Sequence, residues 1–207
     1  IPDRGKWYFE FFIDYQTAGF PSDIGVLDGT LNSSLSTGNY LSNAGSFHIE
    51  PMTGLLFSES STGTSYTGNS GSPAVVGNAD AKVGIAFDRD NNKLWFAVNN
   101  TWINVGSGLG DPANDSNPAV SSIEQNLSIS HGIRQATGTS KVVINCGQDS
   151  TFGGLATAQG NTDGNGFGDF FYEPPSGFLA LCSANLPISS DIDPAETDDD
   201  HPTKNFG

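Results

Sequence analysis

Basic residues are scarce. Lys and Arg total 8 against 23 Asp and Glu, so the net charge is −15 with His neutral. The bases never cluster, which leaves no electrostatic footprint for a phosphate backbone and excludes nucleic acid as a partner. Charged residues are only 15% of the chain, so the acidity is mostly a shortage of bases on a well-solvated surface. Two cysteines, Cys146 and Cys182, are too few for a disulfide scaffold. They lie in the apolar runs KVVINC and GFLALC, where a free thiol packs as a small hydrophobe, and no disulfide is indicated. No apolar run approaches the roughly 20 residues that cross a bilayer, and no leader-type segment is visible, so no membrane partner is expected. Sustained helical periodicity is missing as well.

What is present is aromatic and turn-rich: 14 Phe and 26 Gly in 207 residues. A chain of this length can bury roughly 70% of its unfolded surface as one domain. Aromatic strands broken by Gly, Asn, Ser and Asp predict an all-β fold, a two-sheet antiparallel sandwich. The clearest pattern is AKVGIAFDRDNNKLWFAVNNTW, Ala81 to Trp102. Val83, Ile85 and Phe87 share one face, as do Leu94, Phe96 and Val98, and a polar turn joins the two arms into a hairpin.

Along the chain, Lys6 to Asp14 predicts a strand with Trp7, Phe9, Phe11 and Ile13 on one face, and Asp23 to Asp28 a second. Gly29 to Gly45, with Tyr40, reads as a surface loop. Ser46 to Phe57 predicts short strands about a turn at Pro51 to Gly54, and Ser58 to Gly77 another loop. Gly106 to Asn117 is a connector, Lys141 to Cys146 a core strand, and Gly153 to Asp169 irregular. Phe170 to Tyr172 and Gly177 to Cys182 read as the last strands. Residues 188–207 are acidic and Pro-bearing, an expected linker or arm leading to a downstream region.

Chemistry is thinly signalled. Gly68 to Pro73 (GNSGSP) is a distorted echo of a protease nucleophile motif, but a triad needs a positioned His and Asp, and His48 has no supporting context. Glycoside hydrolysis needs two carboxylates about 5–10 Å apart. Glu10 and Asp14 are separated by apolar residues, while Glu50, Glu59, Glu124 and Glu173 stand alone, so an enzyme is not expected. Asn161, Asp163 and Asn165 alternate oxygen side chains like a calcium loop, yet Tyr172 stands where the closing Glu belongs. That loop is a weak metal candidate, and no metal or other cofactor is predicted. Asp88, Asp90 and Asn92 are explained by the hairpin turn. Trp102, beside Asn99 and Asn100, could stack on a sugar or a partner, although capping the core is the favoured role.

Several stretches, in order, resemble the SPRY (B30.2-like) domain: Gly5 to Glu10 (GKWYFE), Asp23 to Val26 (DIGV), the hairpin, Asn117 to Ser121 (NPAVS), and Val143 to Gln148 (VINCGQ) followed by Phe152. Phe167 to Pro187 (FGDFFYEPPSGFLALCSANLP) is similar to the ending of SPRY-like domains in tailed-phage virion proteins. The resemblance implies a domain over residues 1–187 without its opening strand, and a polypeptide longer than 207 residues. Lacking that strand, the first sheet would expose an edge for strand addition by another segment or subunit. It also implies a non-enzymatic binding or assembly module of a tailed-phage particle: a tail fibre, tail-associated or capsid-decorating protein, made in the host cytoplasm and residing in the virion. Expected partners are other virion proteins or further copies of this chain in an oligomeric assembly, or a cell-surface glycan or receptor. A lectin-like adhesin is the second reading and a polysaccharide-degrading enzyme a third. The loops Gly29–Gly45, Ser58–Gly77 and Asn99–Asn117 are the expected contact surface, with Tyr40, Asn99, Asn100 and Trp102 as candidate binding residues.

Overall fold

The structure, a computed structural model, describes residues 1–28, 45–60, 62–123, 126–133 and 137–186. It is an antiparallel two-sheet sandwich with no α-helix among the described residues, only short 3-10 turns at Pro112–Asn114 and Ser183–Asn185. The first sheet runs β11 (Ser140–Asn145), β1 (Lys6–Gln16), β6 (Ala81–Asp88), β7 (Lys93–Val98), β8 (Thr101–Trp102). Two short strands join it at the side: β9 (Val120–Ser121) on β7, and β12 (Leu179–Ala180) parallel to β1. The second sheet runs β10 (Leu127–Ile133), β2 (Ser22–Asp28), β3 (Phe47–Glu50), β4 (Leu55–Ser58), β5 (Thr64–Ser65).

Alternation along the strands builds the core between the sheets. Phe9, Phe11 and Ile13 from β1, Val83, Ile85 and Phe87 from β6, and Leu94, Phe96 and Val98 from β7 point inward. Ile24, Val26, Phe47, Ile49 and Leu56 meet them from the other sheet. The hairpin forms as expected, with Val83 opposite Val98 and Asp88 opposite Lys93. Its turn oxygens are engaged: Asp88 Oδ1 accepts from the Asn91 amide at 3.0 Å, and Asp90 Oδ1 from the Gly5 amide at 2.9 Å.

β1 is paired on both sides, by β6 and by β11 with β12, so among the described residues the open edge beside it is that of β11. Leu127–Ile133, to which the sequence pattern assigned no element, carries only two inward apolar side chains among Ser, His and Gly and is a full seven-residue strand against β2. Two expectations need correcting. Lys141 to Cys146 is half-exposed and lies at the border of the core, because an edge position leaves one flank to solvent. Phe170 to Tyr172 is not a strand: the Phe171 and Tyr172 amides donate to the Glu10 carboxylate at 2.9 and 2.8 Å instead of to a neighbouring strand.

That last arrangement reveals a second layer. Residues 146–186 fold over the outer face of the first sheet and bury a separate aromatic cluster: Tyr8, Ala86, Trp95, Phe170, Phe178 and Ala180. β1 and the hairpin are therefore buried on both faces, which is why Tyr8 and Phe12 are as hidden as Phe9 and Phe11. Glu10, on this outer face, is fully buried. Besides the two amides it accepts from Tyr8 Oη at 3.1 Å and Asn145 Nδ2 at 3.3 Å. Gly84, directly opposite, leaves room for the Tyr8 hydroxyl; a Cβ there would lie 2.9 Å from it. Burial pushes the Glu10 carboxyl above its ordinary range, against the pull of the four donors. Nearby, Lys82 lays its ammonium over the rings of Phe12 and Phe171, 4.8 and 4.6 Å from their centroids. Glu10→Ala strands two backbone donors under the arm at about 1–3 kcal/mol each. The expected outcome is a denaturant midpoint lowered accordingly, with residues 146–186 becoming protease-sensitive before the sandwich does.

The second sheet carries a buried polar tie of its own. His48, Gly25 and Ser130 lie side by side on β3, β2 and β10. The His48 ring reaches across β2 to put Nε2 2.5 Å from Ser130 Oγ, while Nδ1 lies 3.1 Å from Ser46 Oγ. Gly25 makes the crossing possible, since a Cβ there would collide with the Phe47 carbonyl and sit 2.8 Å from His48 Cα. Burial, aided by the charge of His131, lowers the His48 pKa to about 3. Folded protein thus keeps this ring neutral where the unfolded chain protonates it near pH 6.5, so acidification favours unfolding. The stability gap between wild type and His48→Gln should shift as pH falls from about 6.5 to about 3, wild type losing up to ~1.4 kcal/mol per unit more, measured by urea unfolding at each pH.

Candidate functional site

A cleft of about 450 Å³ opens where the segment Pro73–Ala81 passes the β7–β8 turn, lined also by Val98, Asn99 and Thr101. Asn99 and Asn100 form that turn, with φ of +47° and +65° between the paired residues Val98 and Thr101. Positive φ at both central positions is the hairpin geometry that matches strand twist, and Asn tolerates it. Asn99 is held against the start of β6: its amide donates to the Lys82 carbonyl at 2.8 Å, and its Oδ1 accepts from the Lys82 amide at 2.9 Å. The opposite wall is an extended run without strand pairing, from which Ala74 and Val75 project to solvent.

A residue that the sequence did not single out ties together two loops next in the chain to this region. Asn104, nearly buried, welds the loop after Tyr66 to the loop after Trp102. Its Nδ2 donates to the Ser70 carbonyl at 3.0 Å, and its Oδ1 accepts from the Gly106 and Gly108 amides at 2.8 and 3.1 Å. Its amide donates to Ser72 Oγ at 2.9 Å, and its carbonyl accepts from Asn69 Nδ2 at 2.7 Å. The GNSGSP stretch is accordingly a loop clamp, with Ser72 occupied by main-chain bonds. The only available signal was composition, an Asn among Gly-rich loops, and that is too common to mark a hub.

The candidate binding residues separate in space. Asn99 lines the cleft, and Asn100 is exposed at the turn tip beside it. Trp102 points the other way: adjacent strand residues face opposite sides, and Trp102, opposite Ala97, packs half-buried on the outer aromatic cluster while Thr101 faces the cleft. This is the capping role the sequence favoured. Tyr40 lies outside the described residues, as does most of the loop Gly29–Gly45. Trp95 also faces the outer layer, edge-on to Phe178 at 6.0 Å, with Nε1 donating to the Ser116 carbonyl at 2.8 Å.

Asn161, Asp163 and Asn165 do share one loop, but the Asp163 carboxylate and the two Asn side-chain N–H groups are used for folding it. Asp163 Oδ1 accepts from the Asn165 and Phe167 amides, each at 2.9 Å. Its Oδ2 accepts from the Ala180 amide at 2.8 Å and Asn185 Nδ2 at 2.6 Å. Burial alone would raise this carboxyl; the four N–H donors outweigh it and hold it below the ordinary range. Asn161 and Asn165 turn their amide nitrogens to the Phe171 carbonyl and Asn185 Oδ1, both at 2.9 Å. Both Asp163 oxygens, the charged lone pairs of the loop, are thus aimed at N–H groups. No group of three or more His, Cys, Asp or Glu suited to a metal ion occurs among the described residues.

The class thus defined is a β-sandwich with a cleft at one end of the hairpin, between Pro73–Ala81 and the β7–β8 turn, and with neighbouring loops braced by Asn104. At the level of sequence, no protein-family model and no curated protein matches the chain. In three dimensions it is similar to solved structures that include the SPRY domain of human HERC1, with 12% identity and a TM-score of 0.45 over 68% of this chain and 74% of that one.

Asn104→Ala removes the acceptor of two loop amides and should cost about 1–3 kcal/mol. Hydrogen exchange at Gly106 and Gly108 is expected to accelerate while the β6–β7 amides stay protected.

Proposed function

We propose that this chain is a non-enzymatic binding and assembly module that takes a protein partner in the cleft between Pro73–Ala81 and the Asn99–Thr101 turn. The observation that carries the proposal is the cleft itself. A rigid hairpin supplies one wall, an extended and partly solvent-facing segment the other, and the Asn104 clamp braces the adjoining loops. A loop surface fixed on a rigid scaffold is the usual location of recognition. The lining side chains are small, Ala, Val, Gly and Pro with Asp80, Asn99 and Thr101, and the wall offers both polar and apolar surface, a composition suited to a peptide or loop. The buried carboxylates best placed for chemistry, Glu10 and Asp163, are saturated with N–H donors, which argues for a structural use of both.

The setting we propose is the tailed-phage particle, on the resemblance of Phe167 to Pro187 to the ending of virion SPRY-like domains. Residues of this run are part of the outer layer, where Phe170, Phe178 and Ala180 pack on the hairpin. The partner would be another virion protein. Sugar stacking on Trp102 is disfavoured by its packing against the aromatic cluster.

The test is capture of virion proteins by the immobilised chain, compared with variants Val75→Glu and Thr101→Arg on the cleft and Trp102→Ala away from it. The cleft variants should weaken capture about tenfold or more, equivalent to ~1.4 kcal/mol, with Trp102→Ala binding as wild type when folded. Capture that survives both cleft changes, or saturable glycan binding lost with Trp102→Ala, would replace this proposal with the adhesin. Loss of viscosity in a polysaccharide solution would replace it with the enzyme.

A further inference from the structure

We propose that Gln148 is an edge guard: its side-chain amide occupies main-chain pairing groups at the end of β11 and stops this strand from pairing with β11 of a second copy. β11 is paired with β1 alone among the described residues, and its half-exposed VVI run ends in Ile144, 36% exposed. An open edge of this kind is a template for another strand. β10, at the edge of the second sheet, already has its Leu127 carbonyl engaged by the Ile1 ammonium at 3.0 Å, and the short strands β5, β8, β9 and β12 have two residues each and offer little to pair with.

Gln148 lies just past the strand and folds back on it. Its Nε2 donates to the Ile144 carbonyl at 2.7 Å, and its Oε1 accepts from the Cys146 amide at 2.6 Å. A residue of an added parallel strand makes the same two bonds, one to the carbonyl of residue i−1 and one from the amide of residue i+1. The side-chain amide therefore stands in for a strand residue opposite Asn145. The turn that delivers it is fixed in place: Asn145 Oδ1 accepts from the amides of Gly147, Gln148 and Asp149 at 2.8, 2.9 and 3.2 Å, and Gly147 takes a φ of +106°.

The blocked positions are the ones that self-pairing would need. Alternation in an antiparallel ladder turns the N–H and C=O of Ser140 and Val142 outward together with the Ile144 carbonyl. Two copies can meet about a two-fold axis at Val142, which then faces its own equivalent while Ser140 of each copy faces Ile144 of the other. Ile144 takes part in the pair on each side of the axis. Capping its carbonyl on both copies removes one of the two bonds of each flanking pair and leaves only the Val142 pair complete, too little to order two chains.

The experiment is sedimentation velocity across a concentration series, at about 1 M salt, where a Debye length near 3 Å screens the negative charge. Wild type should remain at the monomer mass of 21.7 kDa, Gln148→Ala should move to twice that mass, and adding Val142→Pro, which removes the central outward donor, should return it to monomer. Exchange of the Val142 amide should slow with concentration in Gln148→Ala only. A Gln148→Ala chain that unfolds with the wild-type transition yet stays monomeric overturns the proposal, as does association that Val142→Pro leaves intact. Should Gln148→Ala not fold, Gln148→Met keeps the side chain's length without its bonds. Failure of that variant to fold would make Gln148 a folding residue and overturn the guard.

Discussion

A buried carboxylate organises this molecule from one strand. Glu10 lies in the middle of β1, under the 146–186 arm, and accepts from four donors belonging to β1, β11 and the arm. An unpaired charge in such a place would be strongly unfavourable, so Glu10 ties the arm to the sheet, and the two arm amides lose their partners without it. The surrounding features follow from that requirement. Gly84 leaves space for Tyr8, Asn145 turns its Nδ2 to Glu10 and its Oδ1 to the next turn, and Lys82 brings a cation over Phe12 and Phe171.

The consequence is a three-layer construction. One core lies between the sheets and a second, aromatic one between the first sheet and the arm, with the hairpin in the middle. Because β6 and β7 are packed on both faces, the turn at Asn99–Asn100 projects from the most constrained part of the chain. A rigid base of this sort lets short loops hold a defined cleft. Polar side chains do the bracing, Asn104 for the loops beside the cleft and Asp163 for the arm.

Asn and Gln recur in these bracing roles because one amide offers both a donor and an acceptor. Asn104 and Asn145 use their oxygens to gather successive main-chain N–H groups, and Gln148 uses both ends of its amide to imitate a strand residue. With few bases in the chain, neutral amides take over tasks that ion pairs could perform.

The sequence by itself determined the fold class, the strands of the hairpin and β1, and which of their faces turns inward, because period-two alternation is a local property of the chain. It also marked the polar turn of the hairpin at Asp88–Asn92, since Asn and Asp suit tight turns. Tertiary structure alone decided the rest. Alternation identifies one buried face, so it could not show that Tyr8, Phe12 and Trp95 are buried on the other by an arm beginning well over a hundred residues after Tyr8. It placed Trp102 beside Asn99 in sequence, while the pleat sent the two side chains to different sides of the sheet. The alternating oxygens of Asn161, Asp163 and Asn165 were legible as a pattern, but the N–H groups that fill Asp163 come partly from Ala180 and Asn185, and only folding brings those within reach.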